Sequence, residues 1–577
     1  MLQKILPAVL SIWTVKSLAV HAQRLAEPMP VLMDGAVWAL AAFALWMLYR
    51  TWLKMKNAFA PKRLWALSAV FALVITLGES FAALGTAEWV TAHKWEALLF
   101  FTGRIPLYFA AMRMLLHALS RESQPARPLS GWKMGALLYV CWIPWYVCLF
   151  PGTVSNDSVS QLMSIFGLVP LTNANPICQT GLVALFRSLG EALGGGADLS
   201  VALYCILQSG LMAWLLGEGL HEMQKSGASR GLAWGSFAFY ALCPIFPVFA
   251  FCVGKDTNFA MAVLFLALEC WRAMHGRMSA KRVILISLAA VCCTLLRNPG
   301  VYLAVLTLAF LLVWAIPQKR WQAPLCGLVC VGVIFASLHL LILPSFDIAP
   351  MPETEEYSIP LQQVARVAAG EALTPEQAAA VDGVIPVAEL KAAYNGELSD
   401  PVKDLWRKDA TPEAKAAFWK AWPKIVMDNP MTCVSATFHN TYGYLYPGYV
   451  STIKPTLIIG NHSTRTANVG DLFPYTVNPL SETLKAFTER LNENALYRIL
   501  VSPGLYGWIT LFAAFVLARK RHARLLICAV PSLFTLAGCL LSAVNGYFRY
   551  AMPLYLSAPM LLWLVWQALN ETKKEIP

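Results

Sequence analysis

About fourteen apolar runs, spaced by tight turns and short basic loops, leave this chain few ways to fold. They fall near residues 5–20, 31–49, 64–86, 97–118, 134–151, 199–221, 231–252, 257–274, 283–296, 299–316, 325–343, 505–518, 525–544 and 551–569. Several are shorter than the ~20 residues that an upright helix needs to cross a bilayer. With 58% of its 577 residues hydrophobic and only 14% charged, the chain could not solvate itself as a globule. Inside lipid every backbone N–H and C=O must be satisfied within the segment, which leaves helices or closed barrels, and runs of this length mean helices. The expected fold class is therefore an all-α polytopic membrane protein with about 14 transmembrane helices.

Charge sets the orientation. The net charge of +12 sits in short loops and forms no continuous basic face, so nucleic acid is not a partner. Arg50 to Lys56 with Lys62 and Arg63, Arg277 to Arg282, Lys319-Arg320, and Arg519 to Arg524 are all basic. If these loops face the cytoplasm, both termini do as well. Lys4 followed by Ile5 to Trp13 resembles a signal sequence, and Val20-His21-Ala22 resembles a cleavage site. Lys16 interrupts that apolar core, so an uncleaved first helix is expected.

Four regions follow from the same reading. Residues 1–118 read as an N-terminal transmembrane bundle and 134–344 as a transmembrane core whose first outer loop is 152–199. Residues 345–503 read as a mainly helical extracytoplasmic domain, and 504–577 as C-terminal transmembrane helices. Thr374-Pro375-Glu376-Gln377 and Thr411-Pro412-Glu413-Ala414 each predict a helix start, with an N-cap hydroxyl, Pro at N1 and an early acid. The Tyr-rich stretch Tyr442 to Gly448 reads as loop or short strand. Most of the 14 cysteines lie in apolar runs as small hydrophobes, and no CxxC or Cys/His metal spacing occurs. Cys178 and Cys433 are the pair that an outer disulfide could join.

Five ionisable residues stand at the ends of crossing segments: Asp157, Lys255, Asp256, Arg297 and Arg549. This topology puts all five on one side of the membrane. Each has an ordinary explanation. Asp157 could cap a short helix beginning at Val159, Lys255 and Asp256 could form a surface ion pair, and the arginines could snorkel. Their agreement in side favours one active site, because charge near a bilayer is costly unless it is paired or wet.

The chemistry that suits this set is transfer from a phosphate-linked lipid. Asp157 would take the proton of an attacking hydroxyl, and Arg297 and Arg549, with Lys255, would hold a leaving phosphate. A planar guanidinium can grip two phosphate oxygens and stays charged. Tyr547 would stack on a sugar or hold a lipid chain. A divalent cation could assist, although one or two carboxylates without a His cluster make a poor metal set.

The run Pro151 to Ser158, then Asn175-Pro176-Ile177 and Val201 to Gln208, resembles a bacterial family of uncharacterised polytopic membrane proteins. Gly254 to Thr257, Leu296 to Gly300 and Asn545 to Tyr550 extend the resemblance, which spans roughly Met134 to Leu569. That family is similar to the GT-C superfamily of membrane glycosyltransferases. The resemblance implies a polyprenyl-phosphate-linked sugar as donor, an envelope glycan, lipid or protein as acceptor, and Asp157 as the catalytic acid or base. It also implies the bacterial cytoplasmic membrane, with the site extracytoplasmic. Two departures stand out: no second acid lies beside Asp157, and Asn175-Pro176-Ile177 lacks the His or Lys that often precedes the proline. Residues 1–118 match nothing in the family. A transporter or lipid flippase is the rival class, and a non-enzymatic assembly scaffold the third. A transporter would place its charges and helix breaks near mid-membrane in repeated halves, and no repeat is visible.

Overall fold

The computed structural model describes residues 2–24, 35–54, 61–121, 124–276, 278–449, 467–476, 478–519 and 522–574. Parts of the basic loops at 50–63, 277–282 and 519–524 lie outside the described residues. Nearly all regular structure is helical, as a membrane-spanning chain requires.

Seven described helices are long and apolar enough to cross a membrane. They are Lys62–Leu84, Lys94–Ser120, Gly131–Leu149, Gly196–Lys225, Lys255–His275, Gln322–Ser345 and Met552–Glu571. An eighth arises if Ala495–Val501 and Pro503–Leu517, bent by 56°, form one span. This corrects the count of about fourteen, and the reasons are local. Pro244 follows the 13-residue helix Arg230–Leu242, which ends before the run near 231–252 is complete. The run near 525–544 breaks into a short helix, a 3-10 turn and the 10-residue helix Val530–Cys539. The helices Ala280–Leu296 and Gly300–Ala315 reach only 17 and 16 residues.

The chain forms two compact units. One contains Met1–Arg121, Thr354–Val450 and Leu540–Gly546. Its Thr354–Val450 part is helical, with a core that includes Leu361, Val364, Val381, Leu390, Phe418 and Ile425. Both expected helix starts occur there: Thr374 makes a full capping box with Gln377, and Thr411 accepts from Ala414 N. The Tyr-rich stretch is neither loop alone nor strand. It forms a 3-10 turn at Tyr442–Tyr444, where Asn545 Oδ1 accepts from Gly443 N and Tyr442 donates to Glu397. In the same unit, Arg104 Nη1 meets Glu79 Oε2 at 2.5 Å, with both side chains buried.

The other unit contains Glu122–Glu353, Ser451–Cys539 and Tyr547–Pro577. Six of its helices carry or support the charged residues: α1 (Asn156–Ile165), α2 (Ile177–Ala192), α3 (Gly196–Lys225), α4 (Lys255–His275), α5 (Ala280–Leu296) and α6 (Met552–Lys574). Two short parallel strands pair, β1 (Thr153–Val154) beside β2 (Cys252–Val253), with Val154 opposite Val253. Cys178 and Cys433 are both free thiols, so the disulfide is not formed.

Candidate functional site

The β1–β2 pairing determines where the first charges meet. Thr153 N donates to Phe251 O and Ser155 N to Val253 O, at 2.9 and 3.1 Å. Both strands then turn directly into helices. Because the strands are parallel and in register, Asp157 in the first turn of α1 comes beside Lys255 and Asp256 in the first turn of α4. Gln208 secures the approach to β2, donating from Nε2 to the carbonyls of Phe249, Ala250 and Cys252. At Gly152, with φ +139°, a Cβ would stand 2.4 Å from Cys205 Sγ, so only glycine fits.

Asp157 does not cap α1. Ser155 does, accepting from Ser158 N, and the helix begins at Asn156 rather than Val159. That leaves the Asp157 carboxylate for other partners. Its Oδ2 lies 3.0 Å from Lys255 Nζ and 3.1 Å from Arg549 Nη1. Its Oδ1 has no protein partner among the described residues.

Lys255 and Asp256 do not pair with each other. Lys255 turns to Asp157 and donates to Asn175 Oδ1 at 2.6 Å. Asp256 faces two arginines, with Oδ2 3.2 Å from Arg549 Nε and Oδ1 3.5 Å from Arg297 Nη1. Neither contact has hydrogen-bond geometry at Asp256 Oδ1 or Arg549 Nε, and both of those buried atoms are left without a bonded partner. Arg297 is the C-cap residue of α5, and Arg549 precedes α6 by two residues. The five charged residues named from the sequence thus meet where α1, α4 and α6 begin and α5 ends. Arg297 is held less tightly than the rest.

Aromatic rings complete the cluster. The Arg549 guanidinium stands over Tyr547 and Tyr550, 4.8 and 5.6 Å from the ring centroids. Arg297 stands over Tyr550 and Phe259, at 4.8 and 5.6 Å. Tyr550 therefore carries a cation on either side, a role its sequence position does not suggest. Asn175, whose place in the sequence shows no chemical role, positions Lys255.

The electrostatics follow from partners outweighing burial. Burial pushes the Asp157 carboxyl up, but Lys255 and Arg549 outweigh it and hold the group well below the usual carboxylate range. Burial disfavours the Arg549 cation, yet Asp157 and Asp256 raise its pKa well above the ordinary value. Burial likewise pushes the Tyr547 hydroxyl up, so it stays protonated. Asp157 and Asp256 sit in the first turns of helices, where the macrodipole favours negative charge. The cluster carries one positive charge in excess, so an incoming anion is attracted to it.

Asp157 and Asp256 are also the carboxylates that a divalent ion would use here, and it would have to compete with three cations for them. Among the described residues no group of three or more His, Cys, Asp or Glu side chains converges.

A family model described as "Family of unknown function (DUF6020)" matches residues 167–576, and the chain belongs to that family. The match includes Lys255, Asp256, Arg297, Tyr547 and Arg549 and begins after Asp157. No curated protein and no solved structure matches the chain.

Proposed function

We propose that this DUF6020 member is an integral-membrane glycosyltransferase that moves a sugar from a polyprenyl-phosphate donor to a cell-envelope acceptor on the outer face of the bacterial cytoplasmic membrane. The observation that carries the reading is Asp157 held through one oxygen by Lys255 and Arg549, its other oxygen free. A carboxylate held that far below its usual range is a weak base. A phosphate monoanion entering the cluster would draw Lys255, Arg549 and Arg297 to its own oxygens through charge-assisted contacts. Asp157 then loses its counter-charges, and its proton affinity rises when an acceptor hydroxyl stands ready.

In the reaction, the acceptor oxygen bonds to the anomeric carbon while that carbon's bond to the phosphate oxygen breaks. The hydroxyl proton passes to Asp157, and polyprenyl phosphate leaves with the bonding electron pair. Arg297 and Arg549 neutralise the charge growing on that phosphate. The basic loops support an outward-facing site.

One observation favours the rival transporter or lipid-flippase reading. The far end of α4 carries a second charge network, in which Arg272 meets Glu218, Glu222 and Glu269 at 2.8, 2.7 and 2.9 Å, and Arg282 also contacts Glu269. Ion-pair networks at both ends of one span could act as alternating gates. Incubating the purified protein with a panel of polyprenyl-phosphate sugars and candidate acceptors separates the two readings. A covalent sugar product from any donor supports the enzyme. Release of labelled lipid across a vesicle membrane, with no product, supports transport.

A further inference from the structure

Below the charge cluster the same helices continue as an uncharged polar network that the proposed reaction does not use. Gln161 lies four residues after Asp157 on α1, and Asn258 three residues after Lys255 on α4. Gln179 lies four residues after Asn175 and within α2. Such spacings put each residue on the helix face of its charged or positioning neighbour. Tyr204 of α3 joins them. Its hydroxyl oxygen accepts from Gln179 Nε2 and from Asn258 Nδ2, each at 2.7 Å, and Asn258 Nδ2 also reaches Gln179 Oε1 at 3.1 Å. Gln161 Nε2 donates to Thr180 Oγ1 at 3.1 Å.

Two valences in this network are unmet. With both acceptor positions of Tyr204 occupied, its own O–H proton has no protein acceptor among the described residues. Gln161 is 2% exposed, and its Oε1 has no hydrogen-bond partner. Buried polar atoms are normally satisfied, so one spare donor and one spare acceptor in a single network require a ligand that supplies both. A sugar hydroxyl does so. Tyr204 also lines a cavity of about 270 Å³ with Leu162, Val183, Phe186 and Val201, so space stands beside the network.

We propose that Gln161, Gln179, Tyr204 and Asn258 seat the hydroxyls of the transferred group, and that they select a neutral, hydroxyl-rich sugar over an amino sugar or a sugar acid. This rests on the phosphate-lipid reading of the adjacent cluster. None of the four residues is ionisable near neutral pH, so an ammonium or carboxylate placed among them would be buried without a counter-charge. Asp157 and Asp256, the acids nearby, are already engaged by cations. A purely structural role, polar contacts that hold helices together in lipid, is the competing account.

Binding to the full-length protein in nanodiscs tests the proposal, with undecaprenyl phosphate, its neutral hexosyl derivative and its aminopentosyl derivative as probes. The neutral hexosyl lipid should bind about tenfold more tightly than the bare lipid, an advantage worth about 1.4 kcal/mol. Tyr204→Phe and Asn258→Leu should each reduce that advantage to less than about threefold. If Tyr204→Phe fails to fold, Gln161→Leu carries the same comparison. Equal binding of bare and hexosyl lipids overturns the proposal and leaves the phosphate reading intact, as does a preference for the aminopentosyl lipid. An advantage that persists in the folded variants shows the network to be structural only and also overturns it. No binding of any of the three lipids overturns the phosphate reading itself, and this inference with it.

Discussion

Asp157 Oδ2 and Arg549 Nη1 lie 3.1 Å apart, although one residue opens a short helix early in the chain and the other precedes its last helix. Arg549 also reaches Asp256, so a single guanidinium links two acids from two separate helix starts. The consequences of removing each member differ, and the differences are measurable.

Asp157→Asn removes the proposed base while keeping the shape of the side chain. Arg549 keeps Asp256, and Lys255 keeps Asn175, so the variant should insert and purify normally. Loss of a positioned general base costs about 10²–10⁴ in rate. Product formation by mass spectrometry, compared at equal amounts of monodisperse protein, checks this. Wild-type turnover in the variant would exclude the role.

The two arginines should not be equivalent. Arg549→Ala leaves Asp157 with Lys255 alone and Asp256 with only the longer contact to Arg297. Breaking a buried pair by removing one partner costs about 3–5 kcal/mol, with the lower end expected here because Lys255 remains. Arg297→Ala removes one contact of 3.5 Å and should cost about 1 kcal/mol or less. Thermal unfolding in detergent should therefore rank Arg549→Ala well below Arg297→Ala in stability. Both should bind the phosphate lipid more weakly, each having lost a charge-assisted contact.

The acid limb of activity should depend on Lys255. In the wild type the Asp157 carboxyl is held below its unfolded value, about 3.9, by Lys255 and Arg549. The stability this confers is therefore present above that unfolded pKa and is lost only as pH falls through the lower folded value. Lys255→Met removes one of the two charges that hold it down, so its pKa should rise toward or above the ordinary carboxylate range. A pH–rate profile for donor hydrolysis or transfer should show an acid limb in the variant at higher pH than in the wild type. Coincident profiles would mean that Lys255 does not set the ionisation of Asp157.

Much of this arrangement is legible in the chain itself, for identifiable reasons. Charges within apolar sequence are rare enough to be conspicuous, so Asp157, Lys255, Asp256, Arg297 and Arg549 can be named from the sequence. The helix starts at Thr374 and Thr411 are legible because their caps are local. The number of spans is not, since hydropathy does not register where Pro244 and the 3-10 turn at Ile527–Ala529 break a run. Strands of two residues show no alternating pattern, so the β1–β2 pairing that aligns Asp157 with Lys255 cannot be read. The roles of Asn175 and Tyr550 are hidden in the sequence because they exist only once distant helices have met.

That short strand pair makes Gly152 a sensitive test of the site's geometry. Its φ of +139° is a conformation that residues with a side chain rarely adopt. An added Cβ would come within 2.4 Å of Cys205 Sγ and 3.0 Å of Val201 Cγ1 on α3, and 3.2 Å from Phe251 O. Phe251 O is the acceptor for Thr153 N, so the substitution pushes β1 away from the strand that sets its register. Backbone strain of this kind costs on the order of 1–3 kcal/mol before the clash is counted. Gly152→Ala should therefore lower stability by at least that amount and move Asp157 away from Lys255. Transfer should fall even in the fraction that remains folded. Cys205→Ala in the same chain clears the nearest obstruction but not the dihedral, so the double variant should recover part of the stability and little of the activity. Full recovery of both in the double variant would show that only the contact with Cys205, and not the backbone conformation at Gly152, holds the site together.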